Sequence, residues 1–257
     1  MRTTSTNKDE PTTVMVGGFP ILRTTASALV PVLQDRMQQQ QIALFFANTN
    51  FVVQCQSLKS QMSDSSTIIV NDGIGMDIAC RITQGFTFIE NLNGTDFTPL
   101  FLRSLSAQAR VFLLGAKPGI AQRAAKSLAD NHQINVVGIC NGYDEAKDVQ
   151  ALIGAINHSN ANVLLVAMGN PQQEQWILQH RHLLKVQVLM GVGALFDFLA
   201  GDKARAPAIV QKIRMEWFYR MCLEPKRLLR RYTIDIFQFL ALCIDQNKKI
   251  KAEEYDT

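Results

Sequence analysis

The sequence predicts an α/β protein built on a mostly parallel sheet, and three observations carry that expectation. Short apolar runs recur at residues 42–46, 67–70, 111–114, 134–137, 163–166 and 186–190, the pattern of strands buried on both faces. Helical periodicity lies between them. Ile120, Ala124 and Leu128 step by four, and Val149, Leu152, Ile153 and Ile156 form an i, i+3, i+4, i+7 stripe. With 257 residues, 47% hydrophobic and 19% charged, the chain is large enough for one sizeable domain plus an appendage. Alternating strands and helices then place helices on both faces of one sheet, a Rossmann-like arrangement.

Taken in chain order, residues 1–13 are polar, with Arg2, Lys8, Asp9 and Glu10, and lack the apolar stretch of a signal peptide. They are expected to form a flexible leader to a Rossmann-like domain at 14–201. Each expected strand runs into a loop of small and polar residues. Asn48-Thr49-Asn50 follows the first, Asn71-Asp72-Gly73-Ile74-Gly75 the second, and Gly115-Ala116-Lys117-Pro118-Gly119 the third. After 163–166 come Gly169, Asn170 and Pro171, with Gln172, Gln173 and Glu174 opening a helix, and Gly191-Val192-Gly193 follows 186–190. Neighbouring parallel strands end at one edge, where an open α/β sheet binds its ligand. A helix opening there presents unpaired N–H groups and a positive dipole end, suited to a phosphorylated ligand. Asp72 is the candidate general base, able to take a proton from an attacking hydroxyl. Asp-Gly also serves simply as a turn. Asp77, Asp96 and Asp197 are weaker rivals, and Asp197, between Phe196 and Phe198, reads as a structural acid.

Several fingerprints fail. Gly115 to Gly119 lacks the Gly-x-Gly spacing of dinucleotide binding, and after Gly191-Val192-Gly193 the third glycine position is Phe196, which disfavours an oxidoreductase. Neither a Gly-Lys-Ser/Thr P-loop nor a Gly-x-Ser-x-Gly elbow occurs. The chain has no Asp-x-Asp pair to hold a divalent ion against a diphosphate, so backbone N–H groups with Arg or Lys are expected to neutralise it. Five separated cysteines and four histidines show no metal-binding spacing, and the thiols are expected to be reduced and mostly buried. No cofactor is expected.

Residues 202–257 differ in character. Between Lys203 and Arg231 stand nine bases (Lys203, Arg205, Lys212, Arg214, Arg220, Lys226, Arg227, Arg230 and Arg231) against Glu216 and Glu224. Such a concentration suits an anionic partner. Ile209, Ile213, Trp217 and Met221, then Leu228 and Leu229 after Pro225, mark two helical pieces. The apolar run 232–244 is too short to span a bilayer and reads as a core helix or one lying in a membrane interface. Residues 245–257 are polar and expected to fray. A solvated surface, a nucleic-acid patch and a membrane patch all fit these charges. Trp217, Phe218 and Tyr219 beside Arg214 and Arg220 favour an anionic membrane over nucleic acid.

The ordered set of motifs resembles the WecG/TagA/CpsF family of bacterial glycosyltransferases. It comprises Asn48; Asn71 to Gly75; Gly94-Thr95-Asp96-Phe97; Phe112 to Pro118; Gly142-Tyr143-Asp144; Met168 to Glu174; Gly191 to Ala194; Arg205-Ala206-Pro207; Glu216 to Arg220; and Glu224 to Arg227. The resemblance runs from about Gly17 to Arg231. It implies inverting, metal-independent transfer of a sugar from a UDP-sugar to a polyprenyl-diphosphate-linked saccharide, by a peripheral enzyme at the inner face of the cytoplasmic membrane. Asp72 would be the base, with Asn48 and Gln173 positioning donor or acceptor. Thr49, Gly73, Gly94, Thr95, Asp96, Gly115, Lys117, Gly169, Pro171, Glu174, Gly191, Gly193 and Arg205 would line the substrate pocket. Arg214, Trp217, Arg220, Lys226, Arg227, Arg230 and Arg231 would meet the lipid diphosphate or the membrane. Many members carry an Arg before Gly94, where this chain has Asn91-Leu92-Asn93. The wording there and at Phe46 to Phe51 is closer to the GumM-like exopolysaccharide glucosyltransferases, which points to glucose. The N-acetylmannosaminyl and N-acetylmannosaminuronyl branches are the alternatives.

Overall fold

In a computed structural model, residues 11–142, 148–207, 209–210 and 215–255 are described. Among the described residues, eight strands form one sheet in the order β1-β2-β4-β3-β8-β7-β5-β6. The strands are β1 (Thr12–Val16), β2 (Phe19–Arg23), β3 (Ile42–Ala47), β4 (Thr67–Asn71), β5 (Arg110–Gly115), β6 (Asn135–Cys140), β7 (Val163–Ala167) and β8 (Val188–Gly191). β1 and β2 form an antiparallel hairpin, and every other pairing is parallel. The six expected strands are therefore present and the expected fold class holds. The hairpin is an addition. It places Thr12 and Thr13, read from sequence as leader, in an edge strand, while residues 1–10 lie outside the described residues. Its turn is Gly17-Gly18, with φ of 58° and 88°, the left-handed pair that a two-residue hairpin requires.

Period-2 alternation divides the central strands between two cores. In β3, Ala43, Phe45 and Ala47 face one side while Ile42, Leu44 and Phe46 face the other, and all six residues are buried. The first side is covered by α2 (Thr49–Gln54), α3 (Ile74–Gln84), α6 (Val149–His158) and α7 (Gln172–His180). The second is covered by α1 (Ala26–Gln39), α4 (Gly94–Ser104), α5 (Ile120–His132) and α8 (Leu195–Leu199). Side-chain caps set several helix starts: Thr25 for α1, Asn48 for α2, Asn93 for α4 and Asp148 for α6.

The chain ends in α9 (Glu216–Leu223) and α10 (Pro225–Tyr255). Pro225 opens α10, where its missing N–H costs nothing. The polar residues expected to fray continue this helix as far as Tyr255. α10 packs on α2 and α3. Phe239 and Cys243 are 1% and 3% exposed inside the first core, whereas Phe237 is 74% exposed. Of the two readings of 232–244, a core helix fits one face and an uncovered apolar face remains. Gly17 is held against this junction, since a Cβ there would collide with Val52 of α2 and stand 3.7 Å from Cys243 Sγ. All five cysteines are free, and only Cys222 is exposed. Burial pushes the Cys243 thiol up to about 12 and the Cys80 thiol to about 11.

Candidate active site

β4, β3, β8, β7 and β5 are consecutive in the sheet, so their carboxyl ends stand side by side. The loops at Asp72, Asn48, Gly191, Gly169 and Gly115 therefore share one edge, as the sequence led one to expect. Direct contacts join them. The Asp72 N–H donates to Ala47 O at 2.7 Å, and a Cβ on Gly75 would collide with Thr49 Cγ2, so the starts of α2 and α3 touch. Asn50 Nδ2 donates to Asn170 Oδ1 at 3.3 Å, tying the β3 loop to the β7 loop.

Asp72 is half-buried at the end of β4. The next residue, Gly73, has φ +93°, and nothing lies within 4 Å of where its Cβ would stand. The backbone beside the carboxylate is thus open to a ligand on that side. The Gly73 N–H is held by Asn91 Oδ1 at 2.6 Å, and Asn71 Nδ2 donates to Glu90 O at 2.9 Å. Asn91 was noted in the sequence only as a departure from the family pattern. Its role as a brace for the Asp72 loop had no local signal, because it acts across 18 residues of chain. Asn48 accepts from the Phe51 N–H at 3.1 Å, making it the cap of α2 as well as a site candidate.

The expected pocket glycines fall into two groups. Gly73, Gly169 and Gly193 have positive φ and empty space where a side chain would go. Gly94, Gly115 and Gly191 are instead required by packing. A Cβ would stand 2.9 Å from Phe46 Cδ2 at Gly94, 2.5 Å from Ala167 O at Gly115, and 3.0 Å from Gln173 Nε2 at Gly191. At these three positions glycine lets neighbouring elements close up. Gly191→Ala is expected to press on both Gln173 and Phe45 Cδ1 (3.2 Å), costing about 1–3 kcal/mol of unfolding free energy in a urea titration.

Gln173 and Glu174 also change character. Both are buried, at 3% and 1% exposure. Gln173 Oε1 accepts from the Gly193 N–H at 2.9 Å and the Gly169 N–H at 3.2 Å, and its Nε2 donates to Glu174 Oε1 at 2.7 Å. The N–H groups expected to meet an anion at these two glycines are therefore occupied by a side chain. Pro171, behind a cis Asn170–Pro171 bond, caps α7. Burial raises the Glu174 carboxyl above its ordinary range, against the opposing pull of its hydrogen bonds.

Asp96 and Arg205 pair with each other. Arg205 Nη2 donates to Asp96 Oδ2 at 3.1 Å and Nη1 to Oδ1, and Asn93 Nδ2 also donates to Asp96. The hydrogen bond to Asp96 raises the Arg205 pKa. Thr95, Asp96 and Arg205 line a cleft with Arg103, His132 and Phe198. Lys117 is exposed on the loop after β5. Trp217 of α9 packs edge-on to Phe218 at 5.8 Å between ring centroids. Arg220, Lys226, Arg227, Arg230 and Arg231 fall in α9 and α10, and Arg214, Tyr143 and Asp144 lie outside the described residues. Asp77 is a structural acid, accepting from the Phe88 N–H at 3.0 Å. Asp197, half-buried, pairs with Lys203 at 3.7 Å.

The model of the "Glycosyl transferase WecG/TagA/CpsF family" matches residues 14–253. The chain belongs to this family. The match extends past Arg231 to include most of α10, and it bears out the glycosyltransferase expected from the sequence. The transferase is also similar to the N-acetylglucosaminyldiphosphoundecaprenol N-acetyl-beta-D-mannosaminyltransferase of Bacillus subtilis (strain 168). The two are 27% identical over 243 residues, spanning 92% of this chain and 94% of the relative.

Proposed function

We propose that the transferase moves N-acetylmannosamine from its UDP conjugate to a polyprenyl-diphosphate-linked saccharide, inverting the anomeric centre and using no metal. The observation that carries this reading is Asp72, a carboxylate on the ligand-binding edge beside Asn48 and Thr49, with open backbone at Gly73. As the acceptor oxygen bonds to the anomeric carbon, its proton passes to Asp72 and the bond to UDP breaks, with UDP taking the electron pair. The name of the Bacillus subtilis relative supports an N-acetylmannosaminyl donor over the glucose expected from the sequence. With the Gly169 and Gly193 N–H groups engaged by Gln173, Lys117 and the bases of 202–257 become the main diphosphate partners.

Each candidate donor (the UDP conjugates of N-acetylmannosamine, N-acetylmannosaminuronate and glucose) is to be offered with N-acetylglucosaminyl-diphosphate-lipid, with and without EDTA. Transfer confined to the N-acetylmannosamine donor and indifferent to EDTA is expected. Transfer from glucose alone would reject the donor assignment, and loss in EDTA would reject the metal-free step.

We further propose that the appendage docks the enzyme peripherally on the inner face of the cytoplasmic membrane, without engaging nucleic acid. No described helix is long and apolar enough to cross a membrane. The exposed Phe218 and Phe237 and the helical bases support an interfacial mode. Each base near an anionic surface contributes about 1 kcal/mol, so a Lys226→Ala/Arg227→Ala double variant should partition roughly thirtyfold less onto anionic vesicles. Unchanged sedimentation would remove these bases from the docking face.

A further inference from the structure

Glu174 is the most enclosed charged side chain near the ligand-binding edge, and the reaction scheme gives it no task. It sits in the first turn of α7, where the helix dipole favours a negative charge. Every neighbour the structure gives its carboxylate is a donor: Asn170 Nδ2 and Gln173 Nε2, both at 2.7 Å from Oε1; Cys55 Sγ, 3.8 Å from Oε2; and its own backbone N–H. A protonated carboxyl would set an O–H against this ring of donors, whereas a carboxylate accepts from all of them. Charge-assisted bonds of about twice ordinary strength offset part of the burial cost that lifts this carboxyl above its ordinary range.

The arrangement has a geometric consequence. An amide has one oxygen and one NH2 group, so once Glu174 takes the Gln173 NH2, the Gln173 oxygen must point to the Gly169 and Gly193 N–H groups. In the same way Glu174 takes the Asn170 NH2, which leaves the Asn170 oxygen for Asn50. One anion therefore orients two amides, and the two amides bind together the loops after β3, β7 and β8.

We propose that Glu174 is a positioning residue, a buried carboxylate that fixes the Gln173 and Asn170 amides and so holds three loops as one floor under the donor diphosphate. The part played by the donor rests on the function proposed above. Glu174 touches no substrate and acts through Gln173.

The test reads the same variants of the full chain in two ways. Amide hydrogen exchange of Gly169 and Gly193 is followed by NMR without any ligand, in wild type, Gln173→Ala, Glu174→Ala and Glu174→Gln. Glu174→Ala should speed exchange at both glycines at least about tenfold, matching Gln173→Ala, while amides within β7 and β8 stay protected. Glu174→Gln keeps the volume but not the charge and should fall between wild type and Glu174→Ala. It also serves as the reading should Glu174→Ala fail to fold. Exchange unchanged in the folded variants overturns the proposal.

Transfer kinetics supply the second reading. Glu174→Ala should lower kcat and raise the KM for the UDP-sugar, with partial rescue by Glu174→Gln. In a Gln173→Ala background the further loss should vanish, because the two residues act as a unit. Multiplicative losses overturn action through Gln173. A wild-type enzyme that transfers no sugar would count against the proposed function alone, since the exchange measurement needs no donor.

Discussion

Replacing Asp72 by Asn is expected to lower turnover by ~10² to 10⁴, the range typical of losing a general base, while UDP binding stays close to that of the wild type. The substitution preserves shape and the Asp72 N–H bond to Ala47 O, which is main-chain. It removes the negative charge and, with it, the ability to accept a proton. Asp77→Asn is the informative companion. Asp77 lies five residues on in α3 and accepts from the Phe88 N–H, so its loss should lower the melting temperature without the same loss of turnover. A near-normal rate in Asp72→Asn would move the base elsewhere on the edge. Comparable turnover losses in both variants would mean that the Asp72 effect is structural.

The second large effect is expected at Phe239. It is 1% exposed between α10 and the first core, and truncation of such a phenylalanine costs about 3–5 kcal/mol. That is a large fraction of the 5–15 kcal/mol typical of a whole domain. Phe237, two residues away on the same helix and 74% exposed, provides the control, and Phe237→Ala should change stability by no more than about 0.5 kcal/mol. Urea midpoints of the two variants measure this directly. Equal, small shifts would mean that α10 is not seated as described. α10 rests on α2 and α3, which begin at the Asn48 and Asp72 loops, so Phe239→Ala should also reduce transfer before it unfolds the protein.

Much of this architecture was legible because it depends on local patterning. The runs at 42–46 and 163–166 have no polar residue and are too short for a typical helix, which suits an interior strand buried on both faces. The shared edge of the loops then follows from parallel pairing alone. The β1–β2 hairpin was missed although Gly17-Gly18 is a strong turn signal, because Pro20 and Arg23 interrupt the second strand and threonines open the first. On the candidate edge, the positions of Asp72 and Asn48 were legible from their places after strands. The roles of Gln173, Glu174, Gly191 and Asn91 were not. Each is defined by a partner on another loop, and which loops meet is fixed by strand order, which periodicity does not reveal. The close packing at Gly115 and Gly191 was hidden for the same reason, since a glycine needed for close packing and one needed for ligand access are identical in sequence.

The meeting of Gly17 with Cys243 also bears on how the enzyme comes into being. The β1–β2 hairpin is synthesised before the helix that supports α2 and α3, which follows roughly 200 residues later, on the order of 10 s or more at ordinary elongation rates. Until then the helices that begin at Asn48 and Asp72 lack the side chains of Phe239 and Cys243 behind them. The ligand-binding edge of the nascent chain thus lacks part of the support beneath it until α10 has been made.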